Sequence, residues 1–205
     1  MKILLYLSAC VLAILAQSEF SDEAQANILA AHNTARRQLA QGKFVANGIK
    51  KAAAANMRAL KWDDDLAEQA QDYANSCPDD IIEMYGIGQN ADWLWNTDDD
   101  DTDGYGVTAV ADWISQVEEG WSGTKYSESA GIRYASQVLW ASSSAVGCGI
   151  GSCGADQDRF DQADKYVVIC NYKEAGNYAG KDIYKSGTAC SLCPSGTKCS
   201  NSLCV

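Results

Sequence analysis

Nine cysteines, eight of them between residues 77 and 204, constrain this chain more tightly than any other feature. The eight are Cys77, Cys148, Cys153, Cys170, Cys190, Cys193, Cys199 and Cys204, and the ninth is Cys10. Cys10 lies in the apolar run Ile3 to Leu15, which follows Lys2 and ends at the small Ala16. That opening reads as a secretory signal over residues 1–16, too short to span a bilayer. Removing it leaves an even set of cysteines bound for an oxidising compartment, which predicts four disulfides and no free thiol. Spacing alone admits about 105 pairings.

A chain of 205 residues, 47% of them apolar, can bury a real core as one domain. The formal charge is −11. Loss of Lys2 makes the processed chain one charge more acidic. Such a field repels phosphate backbones and anionic lipid, so nucleic acid and heparin are poor partners. No segment after the signal is apolar enough to cross a membrane. No Asn-x-Ser/Thr site invites ordinary N-glycosylation.

Helical patterns come first. Ser21 reads as an N-cap, followed by acidic Asp22 and Glu23, then Ile28, Ala31, Ala35 and Leu39 at helical spacing until Gly42. A second helix starts near Asp63 to Asp65 and runs through Leu66, Ala70 and Tyr73 to Cys77, where Pro78 stops it. Ala67 and Ala74 allow close packing along it. The following stretch reads as loop up to Asp103. A third helix then covers Val107 to about Glu119, with the stripe Val110, Trp113, Ile114 and Val117. After Gly120 the β-formers at Tyr134 to Trp140 and Tyr166 to Cys170 predict short strands, with Gly147 to Gly154 turning between them. Helices followed by strands predict an α+β or layered sandwich domain. The cysteine-rich tail is too short for a core of its own and depends on its bridges. The domain is expected over residues 20–180 and the tail over 181–205.

A series of short segments resembles the CAP superfamily of cysteine-rich secretory, antigen 5 and pathogenesis-related proteins. Its venom-allergen-like and activation-associated secreted branch from nematodes is the best likeness. The matching pieces run in the family's order. They are Ala31-His32-Asn33 with Arg36, Leu60-Lys61-Trp62-Asp63, Ala67 to Cys77, Gly86 to Asn90, and Ser136-Gln137 with Trp140. Val146-Gly147-Cys148-Gly149, Cys170-Asn171-Tyr172, Gly176-Asn177 and the Cys190-to-Cys204 tail complete them. The resemblance implies a three-layer α-β-α sandwich with a central antiparallel sheet and a short disulfide-stapled tail. It also implies the pairs Cys77–Cys148, Cys153–Cys170, Cys190–Cys199 and Cys193–Cys204.

Many members of that family line a cleft with two histidines and two acids, a set able to hold zinc and orient water. Aligned residue by residue, the four positions fall here on Ile81, Gln89, Gln116 and Tyr134. Isoleucine cannot ligate, neutral glutamine is a poor zinc ligand and no base, and tyrosine stays protonated at neutral pH. The only histidine is His32, which belongs to the first-helix motif and reads as a structural residue. A serine beside the first histidine supports protease proposals for the family, and that position is Ile82. The expectation is a polar cleft with neither metal nor cofactor, and no enzyme.

Two other groups bear on ligands. Asp99-x-Asp101-x-Asp103-Gly104 resembles half a calcium loop, but Val110 stands where an EF-hand needs glutamate, so the run over 98–103 reads as a solvated acidic loop. Trp93, Leu94, Trp95 and Tyr105 form a candidate ligand loop for a sterol or fatty acid, and Trp121 with Tyr126 a second aromatic surface. The reading is a secreted, non-catalytic binding protein. Its partner is a small apolar molecule or another extracellular protein, the latter without any small ligand, and hydrolysis ranks last. Sequence does not fix the oligomeric state.

Overall fold

The computed structural model describes residues 19–97, 102–121, 123–158 and 163–205. The signal segment 1–16 and the aspartates at 98–101 lie outside them. In order, the elements are α1 (Asp22–Ala40), β1 (Val45–Ala46), β2 (Ile49–Lys50), β3 (Lys61–Trp62), α2 (Asp64–Asn75) and β4 (Ile87–Asn96). Then follow α3 (Asp103–Ser115), α4 (Val117–Gly120), a 3-10 turn at Glu128–Ala130, α5 (Arg133–Val138), β5 (Ala145–Ala155), β6 (Asp164–Lys173), β7 (Cys199–Ser200) and β8 (Leu203–Cys204).

The first two helices begin where their capping chemistry places them. Ser21 Oγ accepts from Ala24 N at 3.2 Å, and Asp63 Oδ1 accepts from Leu66 N at 3.1 Å, each filling an orphan donor of a first turn. The main sheet has the order β3-β5-β6-β4. It is antiparallel except where β3 meets β5, which is parallel, so the expected antiparallel sheet is in fact mixed. On one face lies α2, with Ala70 and Ala74 packed on Ala91, Val167 and Ile169. On the other lie α1, α3 and α5, around Ile28, Leu39, Val110, Trp113 and Val138. The chain is an α+β three-layer sandwich with a disulfide-stapled tail.

Three local expectations fail for identifiable reasons. Gly147 to Gly154 is not a turn but most of strand β5. Gly147, Gly149 and Gly151 alternate on the face toward α2, and a Cβ at any of them would enter the α2 backbone beside Ala67, Gln71 or Ala74. Glycine serves here by having no side chain, which lets the helix lie directly on the strand. Tyr134 to Trp140 is not a strand: tertiary bonds described below hold its first five residues, with Arg133, as the short helix α5. The loop expected after Pro78 contains the ten-residue strand β4.

The domain disulfides also differ from the implied pairs. The bridges are Cys77–Cys153 and Cys148–Cys170 instead of Cys77–Cys148 and Cys153–Cys170. Antiparallel register sets Cys148 directly opposite Cys170, with Cα atoms 4.1 Å apart, so those two sulfurs meet. Cys153, at the far end of β5, then meets Cys77 just beyond α2. The tail pairs are Cys190–Cys199 and Cys193–Cys204. Bridges are not the tail's only anchor. Cys204 N donates to Met57 O, Ala59 N to Cys204 O and Leu192 N to Ala55 O, while Ile183, Tyr184 and Leu203 are buried in the main core.

Arg36 ties these parts together. It is wholly buried on α1 and donates all five guanidinium hydrogens to backbone carbonyls: Arg58, Val138, Trp140, Ala141 and Ser143, at 2.8–3.4 Å. Burial lowers its pKa to about 9, still above neutral, so it remains charged. Lysine has three donors and no fork to match this set. Arg36→Lys is expected to lower unfolding free energy by about 3 kcal/mol or more in denaturant titrations. A loss below about 1 kcal/mol would show the grip to be incidental.

Candidate functional site

A groove of about 940 Å³ opens where the 81–89 segment, α5 and residues 175–178 meet. Ile81, Ile82 and Gln89 line it, with Gln137 and Arg133 of α5 and Tyr178 across from them. Gly88 forms part of its floor because the Gln137 amide presses against its α-carbon, where a Cβ would collide. Gln137 accepts from Gly176 N at 2.8 Å and donates to Ser143 Oγ at 3.2 Å, which pins α5 to the wall made by residues 174–176.

Gln89 is buried on the α2 face of β4. Its Oε1 accepts from Ile82 N at 2.9 Å and its Nε2 donates to Asn171 Oδ1, also at 2.9 Å. Asn171 donates in turn to Leu66 O at 3.4 Å. Gln116 sits just past α3. Its Oε1 accepts from Tyr134 N at 2.9 Å and from Ala135 N at 3.2 Å, so it caps the start of α5 from outside that helix. This bond and the Arg36 contacts to Val138 and Trp140 make residues 133–138 helical against their β propensity. Tyr134 meets Gln116 through its main chain, and its half-buried ring lies 6.4 Å from that of Trp113. Burial raises the Tyr134 pKa, with Arg133 opposing and Asp80 and Asp92 adding to the shift, so the phenol is protonated at neutral pH. Ile81 packs partly buried against the α2-side cluster. The four positions therefore form two bonded sets, Gln89 with the 81–82 segment and Gln116 with Tyr134, and only Ile81 and Gln89 line the groove.

His32 is fully buried. Its Nδ1 lies 2.8 Å from Ile28 O, which can only accept, so Nδ1 carries the proton and Nε2 accepts from Tyr172 Oη at 2.8 Å. Asn90 Nδ2 donates to Tyr172 Oη at 3.3 Å and to Tyr134 O at 3.1 Å. A hydrogen-bonded chain thus runs from α1 through the core to α5. Burial holds the His32 pKa down to about 4, helped by Arg36 and opposed by the Ile28 carbonyl. The unfolded chain takes up this proton near pH 6.5 and the folded chain only near 4, so His32 costs stability as pH falls through that window.

The aromatic residues are not a loop and not one site. Trp93, Leu94 and Trp95 alternate along β4. Trp93 packs on the α2 side and donates to Pro78 O at 2.7 Å, while Trp95 is 39% exposed and donates to Asp156 Oδ2 at 2.8 Å. Leu94 faces the opposite core with Tyr105, whose ring lies 5.0 Å from that of Tyr166. Trp121 and Tyr126 are buried in that core as well. Of the acidic run, Asp103 is described, and both its oxygens accept from Ser21, at 3.1 and 2.6 Å.

Sequence reasoning missed Gln137, which lines the groove, and Asn171, which anchors Gln89 from the core, although both stand in family segments. It also missed Asp92, which carried no signal at all. Burial raises the Asp92 pKa to about 7, with Asp112 adding to the rise and Trp93 N–H opposing it. A carboxyl raised this way contributes stability below about pH 3.8 and loses it as pH climbs through 7. Asp92→Asn is expected to be more stable than the parent near pH 8, the difference closing by about pH 4 in paired denaturation curves. A difference independent of pH would contradict the assignment.

Comparisons with known proteins agree with this architecture. The CAP model, described as the cysteine-rich secretory protein family, matches residues 29–172. The cysteine-rich venom protein of Tityus serrulatus is 32% identical over 184 residues, covering 84% of this chain and 43% of that protein. The chain thus spans less than half the length of that relative. Among solved structures, NaASP2 with Zn2+ superposes with a TM-score of 0.78 at 25% identity, over 91% of this chain and 97% of the other. BmVAL-1 superposes with a TM-score of 0.79 at 26% identity, over 90% and 95%. Read with the sandwich, the ordered motifs and the tail, these matches establish that the chain belongs to the CAP family of cysteine-rich secretory proteins, in its nematode venom-allergen-like branch.

Proposed function

We propose that this chain acts outside the cell as a non-catalytic binding protein whose cleft holds no metal, and that it binds an extracellular polypeptide at the groove. The observation that carries this reading is the occupation of Gln89 Oε1 and Gln116 Oε1 by backbone N–H groups. At the four positions that the family resemblance assigns to metal ligands, this chain offers two amides, a phenol and an isoleucine. Amide oxygens already committed to N–H donors do not attract a divalent ion. No nucleophile and base stand together there either, since Ile82 replaces the serine and His32 is sealed in the core.

A polypeptide is favoured as ligand by the groove's rim. Ile82, Tyr85 and Tyr178 are 42%, 106% and 54% exposed beside it. Exposed aromatics around a recess suit protein contacts, where such residues are enriched. No helix among the described residues is long and apolar enough to cross a membrane. The second reading is a sterol or fatty acid, favoured by the groove's volume and opposed by its lining, which includes none of Trp93, Leu94, Trp95 and Tyr105.

Replacing Tyr85 by a photo-crosslinking phenylalanine analogue, on disulfide-intact protein, is expected to capture a discrete partner from extracellular fluid. Radiolabelled cholesterol and palmitate are expected to show no saturable uptake. Saturable lipid uptake without a protein adduct would replace the first reading by the second.

A further inference from the structure

Acid is absent from one long stretch of an acidic chain. Between Glu23 and Asp63 all seven charged residues are lysine or arginine, while the chain as a whole carries −11. Such an asymmetry points to an acidic partner for whatever part of the stretch meets solvent. That part is the β1–β2 hairpin with its flanks: Lys43, Val45, Asn47, Gly48, Ile49 and Lys50 are all exposed. Val45 is 50% and Ile49 65% exposed, so two branched aliphatic side chains stand among the lysines.

The hairpin is a mounted tip. Asn47 and Gly48 have φ of 48° and 68°, the two left-handed residues that a tight I′-type hairpin turn requires. Below the turn, Phe44 and Ala46 are buried, and the Phe44 ring lies 5.8 Å from that of Trp121. Lys51 N donates to Phe44 O at 2.9 Å, and Lys51 Nζ donates to Trp121 O at the same distance. Lys51 is thereby committed to the base, whereas exposed Lys43 and Lys50 have no ion pair among the described residues. A tip already shaped in this way loses little freedom on docking.

Register decides what kind of partner fits. Val45 pairs with Lys50 and Ala46 with Ile49. Paired residues share a face and neighbours alternate, so Val45 and Ile49 project from opposite faces of the ribbon. A protein surface laid on one face leaves the other in water, and neither residue is of the tryptophan, tyrosine or arginine type that anchors protein contacts. A fluid apolar layer surrounds the tip and covers both faces at once. Lysine stems follow such a tip inward while their ammonium groups stay at the charged boundary. We propose that the β1–β2 hairpin docks on anionic phospholipid membranes, with Val45 and Ile49 entering the interface and Lys43 and Lys50 meeting the headgroups. At physiological salt, charges more than about 8 Å away are largely screened, so these lysines outweigh the acidic remainder of the chain. That remainder keeps the other faces off the membrane and so orients the molecule. The attachment is shallow and reversible. It stands whether or not the groove binds a polypeptide.

The test is flotation of the full disulfide-intact chain with vesicles of phosphatidylcholine, alone or mixed with phosphatidylserine. The chain is expected to float with the mixed vesicles, to ignore pure phosphatidylcholine and to be released by high salt. Val45→Ser and Ile49→Ser leave the net charge unchanged, and each is expected to weaken partitioning about fivefold. Lys50→Gln is expected to weaken it by a similar factor. Melting temperatures equal to the parent's show that the variants are folded, as exposed positions allow. No flotation with the mixed vesicles overturns the proposal. Affinity unchanged in both serine variants overturns it too, because the contact would then be one that any polyanion or acidic protein could make. Equal binding to pure phosphatidylcholine removes the part assigned to the lysines and overturns it as well.

Discussion

A guanidinium enclosed in the core, hydrogen-bonded to five carbonyls, is the interaction on which the rest of this structure depends. Arg36 joins α1 to the chain at residue 58 and to the segment 138–143 that follows α5. Those segments lead directly into β3 and β5, and α5 carries Gln137 into the groove. Removing a charge from water is costly unless every donor is matched, and here every donor is matched. A partner set drawn from two stretches of backbone forms only when both of them and α1 are in place. One residue thereby couples the first helix, the sheet edge and the cleft wall.

The cleft shows the same logic with neutral groups. Gln89 and Gln116 stand where the resemblance puts acids, and their oxygens serve backbone N–H groups of the 81–82 segment and of α5. Buried carboxylates at these positions would need cations close by, and the chain's one histidine, His32, is bonded within the core instead. With amides, the hydrogen-bonding scaffold persists without that requirement.

Much of this could be read from the chain. Ser21, Asp63 and the apolar stripe of α3 announce their helices because caps and periodicity are local signals. The layered architecture, the tail pairs Cys190–Cys199 and Cys193–Cys204, and the family itself were also legible from ordered motifs. What was not legible depended on contacts distant in sequence. Tyr134 to Trp140 carries β-formers, yet Gln116 and Arg36 make its first part a helix. The glycines at 147, 149 and 151 look like turn residues, yet their missing side chains admit α2 onto β5. The bridge between Cys148 and Cys170 follows from strand register, which spacing does not encode. Trp93 and Leu94 face opposite layers because the segment is a strand, so adjacency in sequence misled the ligand assignment.

The fold persists while Gln89 and Gln116 hold backbone N–H groups at positions where the family resemblance implies acids. Anomalous diffraction at the zinc edge, from crystals grown at neutral pH and soaked in millimolar zinc, tests it most directly. The account predicts no anomalous peak among Ile81, Gln89, Gln116 and Tyr134, with both glutamine amides still bonded to their backbone N–H donors. A zinc peak bounded by those four side chains would contradict it.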